Sequence, residues 1–331
     1  MYSIGVDLGA HNRVSARNQS GKCENIQKLA TDNKADETEV LKQVIEMIEL
    51  QLKENSPEQI TIAMPGPTDG DTIFCLPNFP NFPKRIKFRK LVEKALKRKG
   101  IESAVIIIND AVAAAFAEWK YGAGKGVTDF CFICIGSGIG GCSVINDALH
   151  LGAHMRAGEL GHVYVINPRN NEARVCGCGD HGHAEAHASG TAIELIALER
   201  REASEWGLLL SRSKKLDKDV LEKELKNIDK GVVSARAVFL AAEKLHDPIA
   251  QEIVQESTYQ LSSLILDVAC SLDPECIIIG GGLGADMLPY VKKEVCNRGF
   301  EFELNQQIKV AALGRNAGIV GASLWKAPRQ S

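Results

Sequence analysis

The sequence has no long hydrophobic run. Nowhere do about 18 apolar residues follow one another, so no segment is predicted to span a membrane. It also lacks a large excess of either charge: a net charge of −3 gives no electrostatic reason to expect a nucleic acid or an anionic membrane as partner. The opening MYSIGVDLGA lacks the basic start and apolar stretch of a secretion signal, which favours a cytoplasmic location.

No low-complexity linker interrupts the chain, although its 331 residues exceed what one hydrophobic core usually serves. Two closely joined domains are therefore expected. An apolar content of 45% and a charged content of 24% are typical of a globular protein. Several of the ten cysteines, such as Cys131, Cys134 and Cys276, lie inside apolar runs. They are interpreted as buried free thiols in a reducing compartment.

Strand and helix patterns alternate along the chain, which predicts α/β domains with central sheets. Short apolar runs predict strands at 2–6, 60–64, 104–108, 130–135 and 275–279. Apolar periodicity predicts helices at 39–52, 248–266 and 317–327, and the charge-dense stretch 212–231 is interpreted as a surface helix with its flanking loop.

Three of the apolar strands run directly into glycine-rich turns: GVDLGA (5–10), CIGSGIGG (134–141) and IIIGGGLGA (277–285). Glycine has no Cβ, so backbone N–H groups can closely approach a phosphate. One such turn is weak evidence, but three favour nucleotide binding over purely structural turns. Neither the Rossmann nor the Walker fingerprint fits, because a strand follows 134–141 and because GKG at 124–126 lacks its flanking motif.

An Asn-Asp pair ends the strand IIIND (106–110) and precedes an alanine-rich helix. The pair could simply cap that helix, since both residue types cap well. Alternatively, Asp110 is a carboxylate held at a strand end as a general base. Position alone does not decide between these interpretations.

Taken together, these motifs resemble the ROK family (repressor, open reading frame, kinase) of sugar kinases, in the family's order and over nearly the whole chain. GVDLGA and IGSGIGG look like its two phosphate loops, MPGP (64–67) with PN (77–78) like its sugar-side segment, and IND like the segment with the catalytic Asp. AGELGH, CGCGDHGH and ASG resemble its sugar-and-zinc segment, LDPECIIIGGG (272–282) its adenosine segment and LGRNAGIVGAS (313–323) its closing helix.

The resemblance implies a two-domain α/β architecture of the actin-like, hexokinase-like kind, a duplicated ribonuclease H-like fold with an active-site cleft. The N-terminal domain would comprise 1–116 together with a C-terminal helix at 317–331. The second domain would comprise 117–316 and contain the zinc-binding segment 157–190. Both phosphate loops must reach one ATP, so they are expected to face each other across the cleft.

The resemblance also implies a role for each motif residue. Asp110 would be the base that takes the proton of the sugar hydroxyl. The sugar's hydroxyls would be bound by Asn78, Asn109, Glu159, His162 and Glu185. The phosphates and Mg²⁺ would be surrounded by Asp7, Gly9, Gly136, Gly138 and Gly140, and the adenosine part of the nucleotide would lie against Gly281 and Gly282.

Four soft or borderline ligands, His162, Cys176, Cys178 and His183, suit tetrahedral Zn²⁺. The family pattern has Cys at the last of these positions, where this chain has His183, and His181 could compete for it. The expected purpose is structural, because a closed loop would fix the sugar-binding side chains. The alternative is a polar loop without metal.

The first phosphate loop departs from the family's D-x-G-G-T, because Ala10 and His11 follow Gly9. This change is expected to slow catalysis or to alter how the phosphate is held.

The predicted function is that of a cytoplasmic, ATP-dependent hexose kinase acting on the 6-hydroxyl of a glucose-like sugar. N-acetylmannosamine, N-acetylglucosamine, allose and fructose are alternative substrates. A small-molecule sugar is the expected partner, with no nucleic acid and no membrane, and a homodimer is expected. Repressors of the family begin with a helix-turn-helix; here the phosphate loop starts within five residues of Met1, which argues against that class. A sugar-binding protein without kinase activity is the other alternative, although Asp110 argues against it.

Overall fold

The chain divides into two compact units, seen in a computed structural model that describes residues 2–166, 173–211, 216–298 and 307–326. Unit 1 is made of Met1–Phe132, Gly141–Gly158 and Ala312–Ser331, and unit 2 of Ile133–Gly140 and Glu159–Ala311. The domain boundaries predicted at 116/117 and 316/317 stay a prediction. Among the described helices, none combines the length and the hydropathy needed to cross a bilayer.

The first sheet has five strands in the order β3-β2-β1-β4-β5. Its strands are β1 (Ser3–Leu8), β2 (Asn12–Gln19), β3 (Lys22–Ala30), β4 (Gln59–Met64) and β5 (Ala104–Asn109). β1 pairs antiparallel with β2, whereas β1, β4 and β5 run parallel, with Asp7 opposite Ala63 and Met64 opposite Asn109. The carboxyl ends of β1, β4 and β5 therefore share one edge of this sheet.

The two faces of β1 carry different contacts because successive side chains of a strand point to opposite sides. Ile4, Val6 and Leu8 are fully buried and share a hydrophobic cluster with Val44 and Ile48 of helix α1 (Glu37–Glu49). Helix α2 (Phe88–Arg98) adds Phe88, Val92 and Leu96 to that cluster. On the other face of β1 lies α11 (Ala317–Leu324), which in turn packs against α3 (Asp110–Tyr121).

Helix α11 lies against β1 and α3 with no room for side chains at the closest points. A Cβ on Gly5 of β1 would lie 2.3 Å from the backbone nitrogen of Ser323, and one on Gly321 would lie 1.8 Å from the carbonyl oxygen of Ala113 in α3. The Ser3 hydroxyl also donates to the carbonyl of Ser323, at 2.9 Å. Backbone therefore packs directly on backbone, which fixes α11 against the strand that carries Asp7.

Glu118, near the end of α3, joins that helix to the segment leading into α11. Its side chain is completely buried. The carboxylate accepts hydrogen bonds from the backbone N–H groups of Ala123 at 2.8 Å, Ala312 at 3.0 Å and Leu313 at 2.8 Å. Three converging N–H donors compensate the buried charge in place of a cation.

The second sheet has the order β10-β9-β6-β7-β8. Its strands are β6 (Phe130–Ile135), β7 (Ile139–Ile145), β8 (Ala148–His150), β9 (Cys276–Gly280) and β10 (Ile308–Val310). The helices among the described residues of unit 2 are α4 (Glu185–Ala188), α5 (Gly190–Arg200), α6 (Ala203–Ser211), α7 (Lys218–Ile228), α8 (Ala235–Lys244), α9 (Pro248–Leu272) and α10 (Gly284–Asn297).

The five predicted strands and the helices at 39–52 and 248–266 are confirmed, with shifted ends. Helix α9 runs to Leu272 because its buried face continues beyond 266, and it ends at Asp273, which adopts a left-handed conformation. Helix α11 stops at Leu324, short of the predicted 327, and residues 327–331 lie outside the described part. Within 212–231 the helix is Lys218–Ile228, and 212–215 lie outside the described part.

Replacing Glu118 by Gln is expected to destabilise unit 1, because an amide cannot accept all three hydrogen bonds and its NH₂ group would face a backbone N–H. Hydrogen bonds to charged groups contribute about 1.5–3 kcal/mol each, so we expect a loss of at least about 2 kcal/mol in the free energy of unfolding, measured by urea denaturation. Glu222→Gln is the control. Its carboxylate is 68% exposed and paired with Lys226, so its loss should leave the free energy of unfolding nearly unchanged. If Glu118→Gln and the wild type are equally stable, the three hydrogen bonds accepted by Glu118 do not stabilise unit 1 as described.

Candidate active site

Two carboxylates of unit 1 lie at the sheet edge where parallel strands end. Asp7 is the penultimate residue of β1, and Asp110 follows β5 as the first residue of α3. Desolvation by burial, reinforced by the negative charge of Asp110, raises the pKa of Asp7 to about 7. The negative charge of Asp110 thus disfavours the ionised form of Asp7, and a proton or a cation at Asp7 would relieve that repulsion.

Backbone of α11 passes directly beside Asp7. A Cβ on Gly318 would lie 2.4 Å from Oδ2 of Asp7, so any larger residue there would displace the carboxylate. The docking of α11 therefore fixes the position of Asp7 as well as that of β1.

Asn109 is the N-cap of α3. Its Oδ1 accepts from the N–H groups of Ala111 at 2.9 Å and Val112 at 3.2 Å, and its Nδ2 donates to the carbonyl of Gly66 at 3.2 Å. The capping interpretation thus holds for Asn109. Asp110 is the first residue of the helix, and its Oδ1 also accepts from the N–H of Ala111, at 2.8 Å. The amide of Asn109 could still offer its second N–H to a sugar hydroxyl.

Gly66 connects this cap to the predicted sugar-side segment. Its φ of +105° is unfavourable for other residues, and a Cβ there would lie 2.4 Å from the carbonyl oxygen of Cys75. MPGP (64–67) therefore packs against the chain just before Asn78, which is exposed. These contacts bring Asn78, Asn109 and Asp110 into one region of unit 1.

The first glycine turn, which connects β1 and β2, is short. The N–H of Gly9 donates to the carbonyl of Asn12 at 2.9 Å, and the carbonyl of His11 accepts from the N–H of Thr31 at 3.0 Å. The side chain of His11 is exposed, so it does not fill the interior of the turn.

The second glycine turn, between β6 and β7, is surrounded by other parts of unit 2. The carbonyl of Gly136 accepts from the N–H of Gly190, at the start of α5, at 2.8 Å. Gly281, the first glycine after β9, has a φ of +81°, and a Cβ there would lie 2.3 Å from the carbonyl oxygen of Ile135. Gly281 and Gly282 therefore follow β9, the strand next to β6, and lie near the turn that contains Gly136 and Gly138; Gly140 is the second residue of β7.

Glu185, predicted to bind sugar, also supports this turn. Its Oε2 accepts from the N–H of Ile139 at 2.8 Å, and a Cβ on Gly138 would lie 2.4 Å from the same oxygen. Its Oε1 lies 3.9 Å from Sγ of Cys176. Glu185 thus connects the glycine turn with the cysteine-containing segment.

The four predicted zinc ligands come together in unit 2. One ligand atom from each of His162, Cys176, Cys178 and His183 lies within 4.8 Å of the others. Nδ1 of His183 is 3.3 Å from Nδ1 of His162 and 3.3 Å from Sγ of Cys178, and Sγ of Cys176 is 3.8 Å from Nδ1 of His162. Tetrahedral zinc with ordinary ligand distances separates its ligand atoms by about 3.3–3.8 Å, so the donor set fits zinc.

His183, and not His181, joins this cluster within the described residues. Burial contributes most to raising the pKa of the Cys176 thiol, to about 11. Glu159 and His162 face one another across a short 3₁₀ turn, with Oε2 of Glu159 4.0 Å from Nε2 of His162. Residues 167–172 of the predicted zinc segment 157–190 lie outside the described part.

Sequence reasoning missed two side chains beside the cluster. The Tyr164 hydroxyl donates to Oδ2 of Asp180, and the Tyr164 ring packs edge-on against the His183 ring. Asp180 belongs to the GDHGH part of the predicted zinc segment, but nothing in the spacing indicates that a tyrosine 16 residues earlier lies beside it.

The ROK family model matches residues 3–328. The chain belongs to the ROK family. An N-acetylmannosamine kinase of Haemophilus influenzae is 32% identical over 70% of this chain, and the match spans 66% of that relative's length, just under two thirds. A glucokinase of Halalkalibacterium halodurans is 34% identical over 68% of this chain and 64% of its own length.

Among solved structures, a ROK family glucokinase from Streptomyces griseus in complex with glucose and AMPPNP superposes on this chain with a TM-score of 0.77. Identity is 27%, and the match covers 98% of both chains. A ROK hexokinase from Thermus thermophilus shares the fold, with a TM-score of 0.69 and 24% identity over 98% of this chain and 97% of its own. The two-domain sugar kinase fold predicted for this ROK chain is thereby confirmed.

Asp7→Asn is expected to stabilise the metal-free protein at neutral and alkaline pH. The folded-state pKa of about 7 lies above the ordinary 3.8, so the folded chain binds an extra proton between these values. Stability therefore falls as pH rises from about 4 to 7 and stays low above it. Asn does not ionise, so Asp7→Asn should raise the free energy of unfolding by roughly 1–3 kcal/mol at pH 8. The increase should vanish near pH 4. Thermal unfolding in the presence of chelator measures both.

Asp69→Asn is the matched control of opposite sign, because the N–H of Thr72 is the main cause of a lowered pKa at Asp69. It should not stabilise the protein at pH 8. If Asp7→Asn melts no higher than the wild type at pH 8, then Asp7 is not the destabilising carboxylate described above.

Proposed function

We propose that this ROK protein is an ATP-dependent sugar kinase that phosphorylates the 6-hydroxyl of a glucose-like hexose. The observation that carries the proposal is the placement of Asp110 at the end of β5, beside Asp7, in the same region as Asn78 and Asn109. The similarity to the Streptomyces griseus glucokinase supports it.

In the proposed reaction, Asp110 takes the proton of the sugar hydroxyl. The sugar oxygen then bonds to the γ-phosphorus of ATP while the bond to the β–γ bridging oxygen breaks and ADP leaves. Asp110 occupies the first turn of α3, where the partial positive charge of the helix N-terminus favours a carboxylate. The Asn109 cap fixes the start of that helix, so it also positions the base.

The phosphates are assigned to the glycine turns of both units and to Asp7. Glycine at positions 9, 136, 138 and 140 would let a phosphate approach the backbone closely. The N–H groups of Gly9 and Gly136 already donate to the carbonyls of Asn12 and Gly138, both at 2.9 Å, so these two glycines would serve by leaving space. A bound Mg²⁺ neutralises charge on the phosphates during transfer. Asp7 fits such a cation, because its pKa is raised by burial and by Asp110, and a positive ion would offset that unfavourable charge. That the turns face one another across a cleft, with Gly281 and Gly282 at the adenosine, stays a prediction.

The sugar hydroxyls are assigned to Asn78 and Asn109 of unit 1 and to Glu159, His162 and Glu185 of unit 2. Polar groups of this kind select a substrate because an analogue that leaves one of them unpaired binds poorly. The relatives divide between glucokinases and N-acetylmannosamine kinases, so N-acetylmannosamine is the first alternative substrate, with N-acetylglucosamine, allose and fructose also to be tested.

Zinc is proposed to be held by His162, Cys176, Cys178 and His183, with a structural role. The metal would link the turn after Glu159 to the segment before Glu185. Nδ1 of His162 lies in the cluster while its Nε2 faces Glu159, so this ring could serve the metal and a sugar hydroxyl together.

The sugar is identified by an ATP-consumption screen across glucose, fructose, allose and the two N-acetylhexosamines, with the phosphorylated position read by NMR. A protein that binds a sugar but consumes no ATP with any of them would be a sugar-binding protein, the alternative suggested by Ala10 and His11. The expected homodimer and cytoplasmic location stay predictions.

Asp110→Asn is expected to lower the turnover number at least about 100-fold, the usual scale for a lost general base, while thermal stability and sugar affinity change little. Asn keeps the shape of the side chain but cannot take the proton. Asp217→Asn is the control, because Asp217 caps α7 and Asn caps equally well, so turnover should be unchanged. An Asp110→Asn enzyme that retains most of its turnover refutes the assignment of the base.

One zinc ion per chain is expected in protein purified without chelators, measured by elemental analysis. His183→Cys should keep the metal, because thiolate is also a good zinc ligand, whereas His183→Ala should lose it or bind it far more weakly. Loss of metal should also weaken sugar binding, since the ligands hold Glu185 and Glu159 in place. Absence of zinc both after purification and after its addition would mean that the segment is a polar loop.

A further inference from the structure

The His183 ring is held in one orientation by its neighbours. It packs edge-on between the rings of His162 and Tyr164, with centroid distances of 5.1 Å and 4.8 Å. Residues 164 and 183 also oppose each other in a short antiparallel bridge, in which Val165 N–H donates to the Gly182 carbonyl at 2.8 Å. In this orientation Nδ1 points into the ligand cluster, and Nε2 is directed away from it.

The other ring nitrogen faces a carboxylate. Oδ2 of Asp180 lies 3.8 Å from Nε2 of His183, about 1 Å beyond hydrogen-bond distance, a gap that a small rotation of the Asp180 side chain closes. The carboxylate is itself positioned, because Oδ2 accepts from the Tyr164 hydroxyl and Oδ1 accepts from the His181 N–H at 2.8 Å. Tyr164 therefore contacts both His183 and the group that faces it.

We propose that Asp180, presented by Tyr164, is the outer-shell acceptor that orients His183 toward the metal. A histidine that binds a metal through Nδ1 carries its proton on Nε2. A carboxylate that accepts from this N–H fixes the tautomer and the ring orientation and makes Nδ1 a stronger donor. A cysteine at position 183 would have no ring N–H to donate, so the carboxylate of Asp180 could not orient it in this way. The inference rests on the proposed zinc site and assigns it a positioning residue outside the four ligands.

A double-mutant cycle tests this pairing by measuring zinc affinity in competition with a chromophoric chelator. Asp180→Asn should weaken zinc binding about tenfold, at the low end for an outer-shell residue because the Asp180 side chain is 57% exposed. In a His183→Cys background the same substitution should change affinity less than about twofold. Tyr164→Phe keeps the ring contact and should cause a loss smaller than that of Asp180→Asn.

Glu243→Gln is the matched control, since it also removes an exposed negative charge of unit 2, one paired with Lys244 and outside the zinc-binding segment. It should leave zinc affinity unchanged. If Asp180→Asn has no effect, or weakens zinc equally in the His183→Cys background, the pairing is overturned while the zinc site stands. If Tyr164→Phe has no effect, the part assigned to Tyr164 is overturned. A wild-type chain that binds no zinc overturns both the metal site and this inference, whether or not the protein is a kinase.

Discussion

The close approach of α11 to β1 and α3 is the constraint on which unit 1 depends. At two points a glycine removes the side chain that would otherwise separate two backbones: Gly5 beneath Ser323 and Gly321 beside Ala113. At a third, Gly318 leaves room for the carboxylate of Asp7. Packing of this kind tolerates no added methyl group, since closely packed interiors have no free volume to receive it. Strand, helix and carboxylate thus take their positions from a single contact surface.

The contact surface of α11 also holds the carboxylate of Asp7 in surroundings that disfavour a negative charge. Asp7 is partly buried beside Asp110, and its raised pKa shows that the surroundings disfavour its ionised form. Glu118, at the other end of α3, is buried completely but accepts three backbone hydrogen bonds. The difference separates a structural carboxylate, compensated by the fold, from a functional one that requires a bound group to compensate it.

The sequence was most informative where one local rule controls structure. Apolar runs predicted the central strands β1, β4, β5, β6 and β9, and the Cys and His types predicted a cluster that the fold assembles. The β2–β3 hairpin was missed, because Lys22–Ala30 is largely exposed and has no apolar run. Helix capping by Asn109 is a local interaction that the Asn-Asp pair indicates, but its bond to the carbonyl of Gly66, 43 residues away, is not predictable from the sequence. The contacts of Tyr164 with Asp180 and of Glu118 with Ala312 join residues far apart in the chain, and no sequence periodicity predicts such pairs.

The docking of α11 also has a consequence for how the protein emerges from the ribosome. Ser3 bonds to Ser323, 320 positions later in the chain. At typical synthesis rates the first strand waits on the order of tens of seconds for the helix that covers one of its faces. During that interval the face of β1 that carries Gly5 and Asp7 lacks its native cover. Unit 1 therefore cannot complete its native packing until α11 has been synthesised, although β1 is made long before that helix.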